Sequence, residues 1–492
     1  MMRFLFVISF AAAQAASAQT VTDSAPPTSI TLDQAIETAR RNNPQLLQTV
    51  NNRHTARAAV RAAYGALLPT SDVSFSAQHQ QSGQQIVSGS TLGASSDINQ
   101  SSYRFGFGYR INGATLITPS LQRANRDAIE ADISGAQQNL RDQVAQQYLS
   151  ELKAEAKADL QDSLLVAARA QLVLAQAREI VGSGTQLDIQ RAEVVVGQQQ
   201  VALLQARNDV EIQKLRLFEL MGVPQPANAK LVSRFEVRPT NLTLNGLLDV
   251  ARRQNPVVLA LRSRQHVADL NVKRERSEYT PTLSLSTGIG GYTYGYVDPA
   301  YPINLASAQA EASKASCIRT EEVRAALNLS NTLAACSAIA FTDVQAAALR
   351  KQNSRYPFDF TRSPRSLTAV LSLPLFDGFA REQRVEEATI ARQNAELGVK
   401  ARELAITADV TSAYLTLTTA EKAVALQEQN SAKARQELKL VQDRYRIGAT
   451  TFVDVQQARA DYERAENDRI NAIYDYHKAF AALESAVGHP LR

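Results

Sequence analysis

The sequence predicts a mainly α-helical chain with a small β part: long antiparallel coiled-coil helices and four short strands. Three observations predict it. The chain is a tandem duplication, its apolar period switches from helical to alternating in four places, and its breaker-free stretches carry heptad seams. The duplication is direct. Thr31, Asn43, Pro44 and Pro69 recur as Thr243, Asn255, Pro256 and Pro281, about 212 residues later. Tyr148, Gly182, Asp188, Gly222 and Pro224 recur as Tyr414, Gly448, Asp454, Gly488 and Pro490, about 266 residues later. The second copy therefore carries an insertion of about 54 residues. A period this long is no solenoid repeat. It describes two units set side by side, as in a pseudo-symmetric pore or ring. The expected division is 1–18 export signal, 19–224 first repeat, 225–242 linker, and 243–492 second repeat with an insertion at 292–365.

Composition excludes several classes. The 492 residues are 45% hydrophobic and 21% charged, with no Trp and a net charge of +5. That bias is too small, and too thinly spread, for nucleic-acid binding. At the N-terminus, Arg3, the apolar run Phe4 to Ala13 and Ala16-Ser17-Ala18 form a secretory signal that ends before Gln19. The apolar run is too short to span a bilayer, and no later stretch is long enough to form a transmembrane helix. An exported chain still has the β-barrel as a route into a membrane.

Along the chain, Thr31 to Leu68 reads as helix, kinked or split at Pro44. Pro69 stops it, and Val73, Phe75 and Ala77 then alternate with polar residues. Gln78 to Ser102 reads as a Gly/Ser/Gln-rich loop. Tyr103, Phe105, Phe107, Tyr109 and Ile111 alternate with Arg104, Gly106, Gly108 and Arg110, so the two arginines share the polar face. A membrane barrel strand has this pattern, with lipid on one face and water on the other. A hairpin on a soluble core has it too. The second copy repeats the pair with Leu283, Leu285 and Ile289, and then Leu367, Ala369, Leu371, Leu373 and Leu375. All four segments run about 9–11 residues, the length that crosses a bilayer at a tilt.

The remainder is helix. Thr115 to Val181 is nearly free of breakers, about 67 residues or roughly 100 Å. Gly182-Ser183-Gly184 turns the chain into a second helix, Thr185 to Met221, which Gly222-Val223-Pro224 ends. A half-length helix at Thr243 to Tyr279 follows the irregular link. The second copy has a long helix from about Ala380 to Ile447, a turn at Gly448 and a half-length helix ending near Val487. Ala458, Ala465, Ala472, Ala479 and Ala486 interleave with Val455, Tyr462, Arg469, Tyr476 and Leu483 as a heptad seam. Ile189, Val196, Leu203, Val210 and Leu217 match it in the first copy. Alanine at alternate seam positions favours close packing of several helices over a two-stranded coil.

These residues resemble the TolC family of outer-membrane efflux proteins. The resemblance rests on Leu32…Ala35…Ala39…Asn43-Pro44 and its echo Leu244…Ala251…Asn255-Pro256. It also rests on Leu373-Pro374-Leu375-Phe376-Asp377-Gly378, on Tyr445-Arg-Ile-Gly448 with Val453-Asp454-Val455, and on the Gly-Val-Pro and Gly-His-Pro ends. It covers the mature chain except the insertion. The family implies a homotrimer in which each chain gives four strands to a 12-stranded transmembrane β-barrel and a third of a helical α-barrel through the periplasm. Four strands cannot close a barrel alone, which agrees with the need for copies. The resemblance also implies a passive outer-membrane exit duct for efflux or type I secretion, set in outer-membrane lipid. Its implied partners are a periplasmic adaptor (membrane fusion) protein and an inner-membrane transporter of RND, ABC or MFS type. No cofactor is implied. The alternatives are a periplasmic coiled-coil scaffold without a pore, and a hydrolase carrying a helical stalk. The five histidines are scattered and no nucleophile or nucleotide motif occurs, so no enzyme is expected.

Candidate site residues follow from the turns. The resemblance places the closed tunnel entrance at the tips marked by Gly182 and Gly448. Thr185 with Asp188, and Thr451 with Asp454, read as capping-box variants at helix starts. The other reading of Asp454 is a cation-binding ring formed by three copies. A second family acid is replaced here by Gln457, which weakens that ring. Tyr445 matches a family position in the network holding the tip closed, or is an aromatic knob in the coil. Arg104 and Arg110 are expected to face the barrel lumen. Cys317 and Cys336, both in the insertion, are expected to form a disulfide on the extracellular side, the alternative being a loose loop with two free thiols.

Overall fold

The structure is a computed structural model that describes residues 29–491 other than 88–89, 227, 234, 238–240 and 331. The expected signal at 1–18 lies outside the described residues. In chain order, the first repeat runs β1 Ser29–Ile30, α1 Leu32–Asn42, α2 Pro44–Gly65, β2 Thr70–Gln80, β3 Gly83–Val87, β4 Ser90–Ser95, β5 Ile98–Ile111, α3 Gly113–Ile180 and α4 Gln186–Met221. After β6 Lys230–Leu231, the second runs α5 Leu244–Gln254, α6 Pro256–Ser277, β7 Thr282–Tyr296, the insertion helices α7 Tyr301–Ala326, α8 Leu333–Ser337 and α9 Asp343–Asn353, β8 Thr361–Arg362, β9 Ser366–Ser372, α10 Ala380–Arg446 and α11 Phe452–Val487. Matching helices have matching lengths: α1 and α5 have 11 residues each, α2 and α6 have 22, and α4 and α11 have 36.

Two compact units form, and neither is one repeat. The helical unit holds residues 29–55, 127–264 and 395–491, and the strand-bearing unit holds 56–126 and 265–394. The cut falls across the repeats because each repeat gives helices to one unit and strands to the other. In the helical unit α3 packs antiparallel to α11. Leu160 and Leu164 bury against Ile470, Gln146 Nε2 donates to the Lys478 carbonyl at 2.9 Å, and Arg459 Nη2 donates to the Leu164 carbonyl at 2.7 Å. The heptad seams lie on buried faces: Ile189, Leu203, Val210 and Leu217 in α4, and Val455, Ala458, Tyr476, Ala479 and Leu483 in α11. Glu151 of α3 is fully buried with no hydrogen bond to either carboxylate oxygen. Burial, reinforced by Glu155, pushes its pKa up to about 8.

The repeated Asn-Pro and Gly-x-Pro motifs meet in two equivalent joints of the helical unit. Asn43 ends α1 and starts α2. Its side chain accepts from the Leu46 N–H at 2.9 Å and donates to the Leu220 carbonyl at the end of α4, also at 2.9 Å. Asn255 does the same between α5 and α6, accepting from Val257 N–H and donating to the Ala486 carbonyl at the end of α11, both at 3.0 Å. The expected continuous helix from Thr243 to Tyr279 is therefore two helices, because Pro256 has no N–H to donate and Asn255 is extended, with ψ 121°. Opposite each Asn sits a glycine at positive φ, Gly222 at 70° and Gly488 at 79°. A Cβ at Gly222 would lie 2.4 Å from the Asn42 carbonyl oxygen, and one at Gly488 would lie 2.7 Å from Pro256 Cδ. Each joint seats a core. Ile30, Ala39, Tyr148, Leu217 and Phe218 fill the first, with the Tyr148 hydroxyl donating to the Ile30 carbonyl at 2.8 Å. Leu247, Ala251, Ile406, Leu417 and Leu483 fill the second. Between them the link at 225–242 is less irregular than expected, since β6 pairs in parallel with β1.

In the strand-bearing unit the four strands line up antiparallel as β2-β5-β7-β9. Directly opposed residues share a face. Register therefore puts Arg104 beside Ser74 and Gly290, and Arg110 beside Ser284. The other face carries Val73, Phe105 and Ile289 in one row, and Leu283, Ile111 and Leu371 in another. Every residue of the edge strands β2 and β9 is exposed.

Three expectations need correction here. Gln78 to Ser102 is no simple loop: β2 continues to Gln80, β5 starts at Ile98, and β3 pairs with β4 between them. Ladder bonds come from the backbone, so polar side chains did not end the strands. The fourth strand stops at Ser372, leaving Leu373 and Leu375 outside it and exposed, since Pro374 cannot donate to a ladder. The strands are also less uniform than expected, β7 having 15 residues and β9 having 7. Between Arg362 and Ser366 the pairing to β7 shifts by one residue, a β-bulge that joins β8 to β9 along one edge.

The insertion is helical. A disulfide joins Cys317 of α7 to Cys336 of α8, with Cα atoms 5.6 Å apart. Helix does not run unbroken between the cysteines, since α7 ends at Ala326. The end of the insertion covers only the Phe75–Tyr103 end of the apolar face, and Val73, Phe107, Ile289 and Leu371 stay exposed. Phe360 packs edge-on to Tyr103 with ring centroids 4.9 Å apart, Phe358 stacks on Phe75 at 6.3 Å, and Ser101 Oγ donates to the Pro357 carbonyl at 2.6 Å.

The joints yield a measurable expectation. Asn43→Ala strands a buried carbonyl and a buried N–H, costing about 1–3 kcal/mol, and Asn255→Ala should cost as much. Gly222→Ala meets both a clash and a positive φ and should cost more. Thermal denaturation followed by circular dichroism checks the order; equal midpoints for wild type and all three variants would refute the joint as a stabilising element.

Candidate functional site

The candidate site is built where the two long helices of the helical unit turn back. Both turns use the same local code. At the end of α3, Ser183 N–H and Gly184 N–H both donate to the Arg178 carbonyl, at 2.8 and 3.0 Å. At the end of α10, Ala449 N–H donates to the Arg444 carbonyl at 2.9 Å. Gly182 and Gly448 sit at φ 72° and 79°, a conformation that costs glycine nothing.

The returning helices are capped reciprocally. Thr185 Oγ1 accepts from Asp188 N–H at 3.2 Å, and Asp188 accepts from Thr185 N–H at 3.2 Å. Thr451 and Asp454 repeat the box. Asp454 Oδ2 there gathers three donors: Thr450 Oγ1 at 2.6 Å, Thr451 Oγ1 at 2.7 Å and Thr451 N–H at 2.9 Å. These bonds, the Thr450 hydroxyl first, hold the exposed Asp454 carboxyl below the usual carboxylate range. Gln457 turns away to donate to Asp461 at 3.0 Å.

One side chain ties the two turns together, and sequence reading missed it. The Arg178 guanidinium lies 4.4 Å from the centre of the Tyr445 ring. Its Nη1 donates to the Tyr445 carbonyl and its Nη2 to the Ser183 carbonyl at 2.9 Å. A Cβ on Gly448 would lie 3.7 Å from that Nη2. A cation at the last turn of α3 also meets the negative end of the helix dipole. Tyr445 is buried with Ala175, Ile189, Ala192, Phe452 and Val455, so a small apolar core drawn from both repeats lies behind the arginine. Burial, then the charge of Asp188, raises the Tyr445 phenol pKa. The available signal was recurrence: Arg178 and Arg444 are about 266 residues apart, as are Gly182 and Gly448.

Gly182, Thr185, Asp188, Tyr445, Gly448, Thr451 and Asp454 thus all belong to this pair of turns. Arg104 and Arg110 stand in the strand-bearing unit on the polar face of β5, and both are exposed. Cys317 and Cys336 are joined in the insertion. No group of three or more His, Cys, Asp or Glu residues arranged to hold a metal occurs among the described residues.

The turns generate an expectation. Arg178→Ala removes two hydrogen bonds and a cation–π contact, so amide exchange in residues 445–452 should accelerate while α4 and α11 stay protected. Asp454→Asn should accelerate exchange at 450–455 above pH 4. For a carboxyl whose folded pKa is depressed, the stabilisation exists above the unfolded value and fades as pH falls through the folded one, below about 4. Wild type and Asp454→Asn should therefore converge in acid, as read by hydrogen-exchange mass spectrometry; exchange rates identical at pH 7 would contradict the cap.

Comparison with known proteins places this geometry. Residues 35–223 and 343–489 match the family model for outer membrane efflux proteins. The outer membrane protein TolC of Vibrio cholerae is 24% identical over 454 residues, spanning 92% of this chain and 89% of its own. The CmeC outer membrane channel of Campylobacter jejuni superimposes with a TM-score of 0.70 at 15% identity, over 93% of this chain and 85% of its own. VceC of Vibrio cholerae does so with 0.69 at 17% identity, over 94% and 97%. The scaffold and hydrolase readings are set aside. With two thirds of its residues inside the family model, its fold shared with known channels and its turns built as described, this chain belongs to the outer membrane efflux protein family and is an efflux channel of the Gram-negative outer membrane.

Proposed function

We propose that three copies of this chain close one twelve-stranded barrel in outer-membrane lipid and one helical tunnel, forming a passive exit duct. The observation that carries this is the sheet with two open edges. β2 and β9 each expose every residue and leave one side of the ladder unpaired, a state lipid does not tolerate. Copies of the chain supply the missing partners. The helical unit has the same need. Val166, Val173 and Ile180 on α3, and Leu187, Val194 and Val201 on α4, lie seven apart and are all exposed, an apolar seam without a partner in the single chain. In this arrangement the helices α7 to α9 of the insertion at 292–365 lie outside the cell, past the end of β7. Native mass measurement in detergent should give a trimer. A stable monomer would overturn the proposal, as would an impermeant thiol reagent that reaches reduced Cys317 and Cys336 only in permeabilised cells.

Arg104 and Arg110 then face the lumen, and Phe105 and Phe107 face lipid. Alanine at either arginine should shift ion selectivity in planar bilayers without loss of assembly. Arginine at Phe105 or Phe107 should cost about 2–4 kcal/mol at the bilayer midplane and block assembly. The same phenotype from both pairs would mean the faces are reversed.

The turns around Gly182 and Gly448 form the periplasmic entrance in this reading, and the Arg178–Tyr445 contact holds it closed. An adaptor protein docked there opens it for an energised inner-membrane transporter of RND, ABC or MFS type. The exposure of Asp454, with its charge held by three donors, also supports a ring of three carboxylates at the entrance. Multivalent cations should block the closed pore less well in Asp454→Asn. Unchanged block leaves the cap as the sole role of Asp454.

A further inference from the structure

A cavity of about 380 Å³ lies within the helical unit among α3, α10 and α11, and its lining is one-sided in charge. Arg435, Lys439 and Arg459 line it, and no Asp or Glu does. Three of its lining side chains also carry a buried nitrogen that finds no acceptor among the described residues: Gln171 Nε2, Gln456 Nε2 and Arg459 Nε. They come from two helices belonging to different repeats. Arg459 is only 7% exposed, and among the described residues its single acceptor is the Leu164 carbonyl.

The nearby acids do not line the cavity. Glu463 is the one acid acting on Arg459, and it accepts from Gln161 at 3.1 Å and Gln199 at 3.4 Å. Glu466, which lies within range of Arg435, is bound by Arg469 at 2.6 Å and by Ser431. Burial depresses the Arg459 pKa, and the charge of Glu463 offsets only part of that effect. Buried N–H groups in folded proteins almost always find an acceptor, and a buried cation normally finds an anion. Water satisfies a donor but does not neutralise the buried Arg459. The remaining wall is apolar, with Leu160, Leu164, Leu438 and Val455 beside the ring of Tyr462. The volume lies at the small-molecule end of ligand cavities, larger than a bare ion requires.

We propose that this cavity binds a small organic anion. A carboxylate or sulfonate takes the Arg459, Gln171 and Gln456 donors, and an apolar body lies against the leucines and Tyr462. Arg435 and Lys439, both exposed, supply long-range attraction at the mouth. Because the donors sit on α3 and α11, an occupied site ties the two repeats together. The inference rests on residues of one chain and holds whether or not three chains form a pore.

The test uses the full-length protein in detergent with 4-fluorobenzoate as probe, followed by ¹⁹F NMR and referenced to empty micelles. Wild type should broaden the probe signal saturably. Gln171→Leu with Gln456→Leu removes two orphan donors at similar volume and should weaken binding roughly tenfold. Arg459→Met should abolish it. Since Arg459 also holds Leu164, circular dichroism must show that variant folded, and the double leucine variant carries the test if it is not. The cation of matching shape, 4-fluorobenzylamine, should not bind. Absence of saturable benzoate binding means the cavity holds water only and overturns the proposal. Equal binding of the amine, or unchanged affinity in the double leucine variant, does so as well.

Discussion

Unpaired backbone hydrogen bonds at the two edges of a four-stranded sheet constrain everything else in this protein. A strand edge in water finds solvent, but an edge in lipid finds nothing, and each orphan group then costs several kcal/mol. Four strands are too few to curl shut. The apolar rows on one face, Val73–Phe105–Ile289 and Leu283–Ile111–Leu371, and the serines and arginines on the other suit a wall between lipid and water.

The helical unit solves a related problem by sharing rather than by closure. A helix of 68 residues has far more apolar surface than its own repeat covers. The α3 helix of the first repeat buries against α11 of the second, so the duplication is visible in sequence order while compactness is not. The Asn-Pro joints fix register within each repeat instead. Asn43 and Asn255 each end one helix, start the next and hold the carbonyl end of a third, and the glycine facing each Asn permits backbone contact.

At the turns the two repeats cease to be equivalent. Arg178 reaches across to Tyr445, whereas its counterpart Arg444 is exposed. A duplicated chain thereby acquires one directional link between its hairpins, which a symmetric pair would lack. Its strength is moderate. Across the turns it consists of one charge-assisted hydrogen bond, to the Tyr445 carbonyl, and a cation–π contact, over a core of six residues.

Sequence alone determined the repeat, the helix ends, the strand faces and the capping boxes, because these depend on residues within a turn or a ladder step of one another. Thr451 with Asp454 is legible since both lie in one helical turn, and Arg104 with Arg110 since strand period is two. The joint residues stood out as recurring motifs, but their work did not: Asn43 meets Leu220 across 177 residues, and no local rule predicts that pairing. Arg178 was passed over because its partner is 267 residues away, in the other repeat. The extent of β2 and β5 was underestimated because polar side chains carry no alternation signal, although their backbones pair as well as any. Tertiary structure alone decided which helices share a core, which arginine bridges the turns and where buried donors gather without acceptors. Each of those depends on which surfaces meet, and surfaces meet only once the chain has folded.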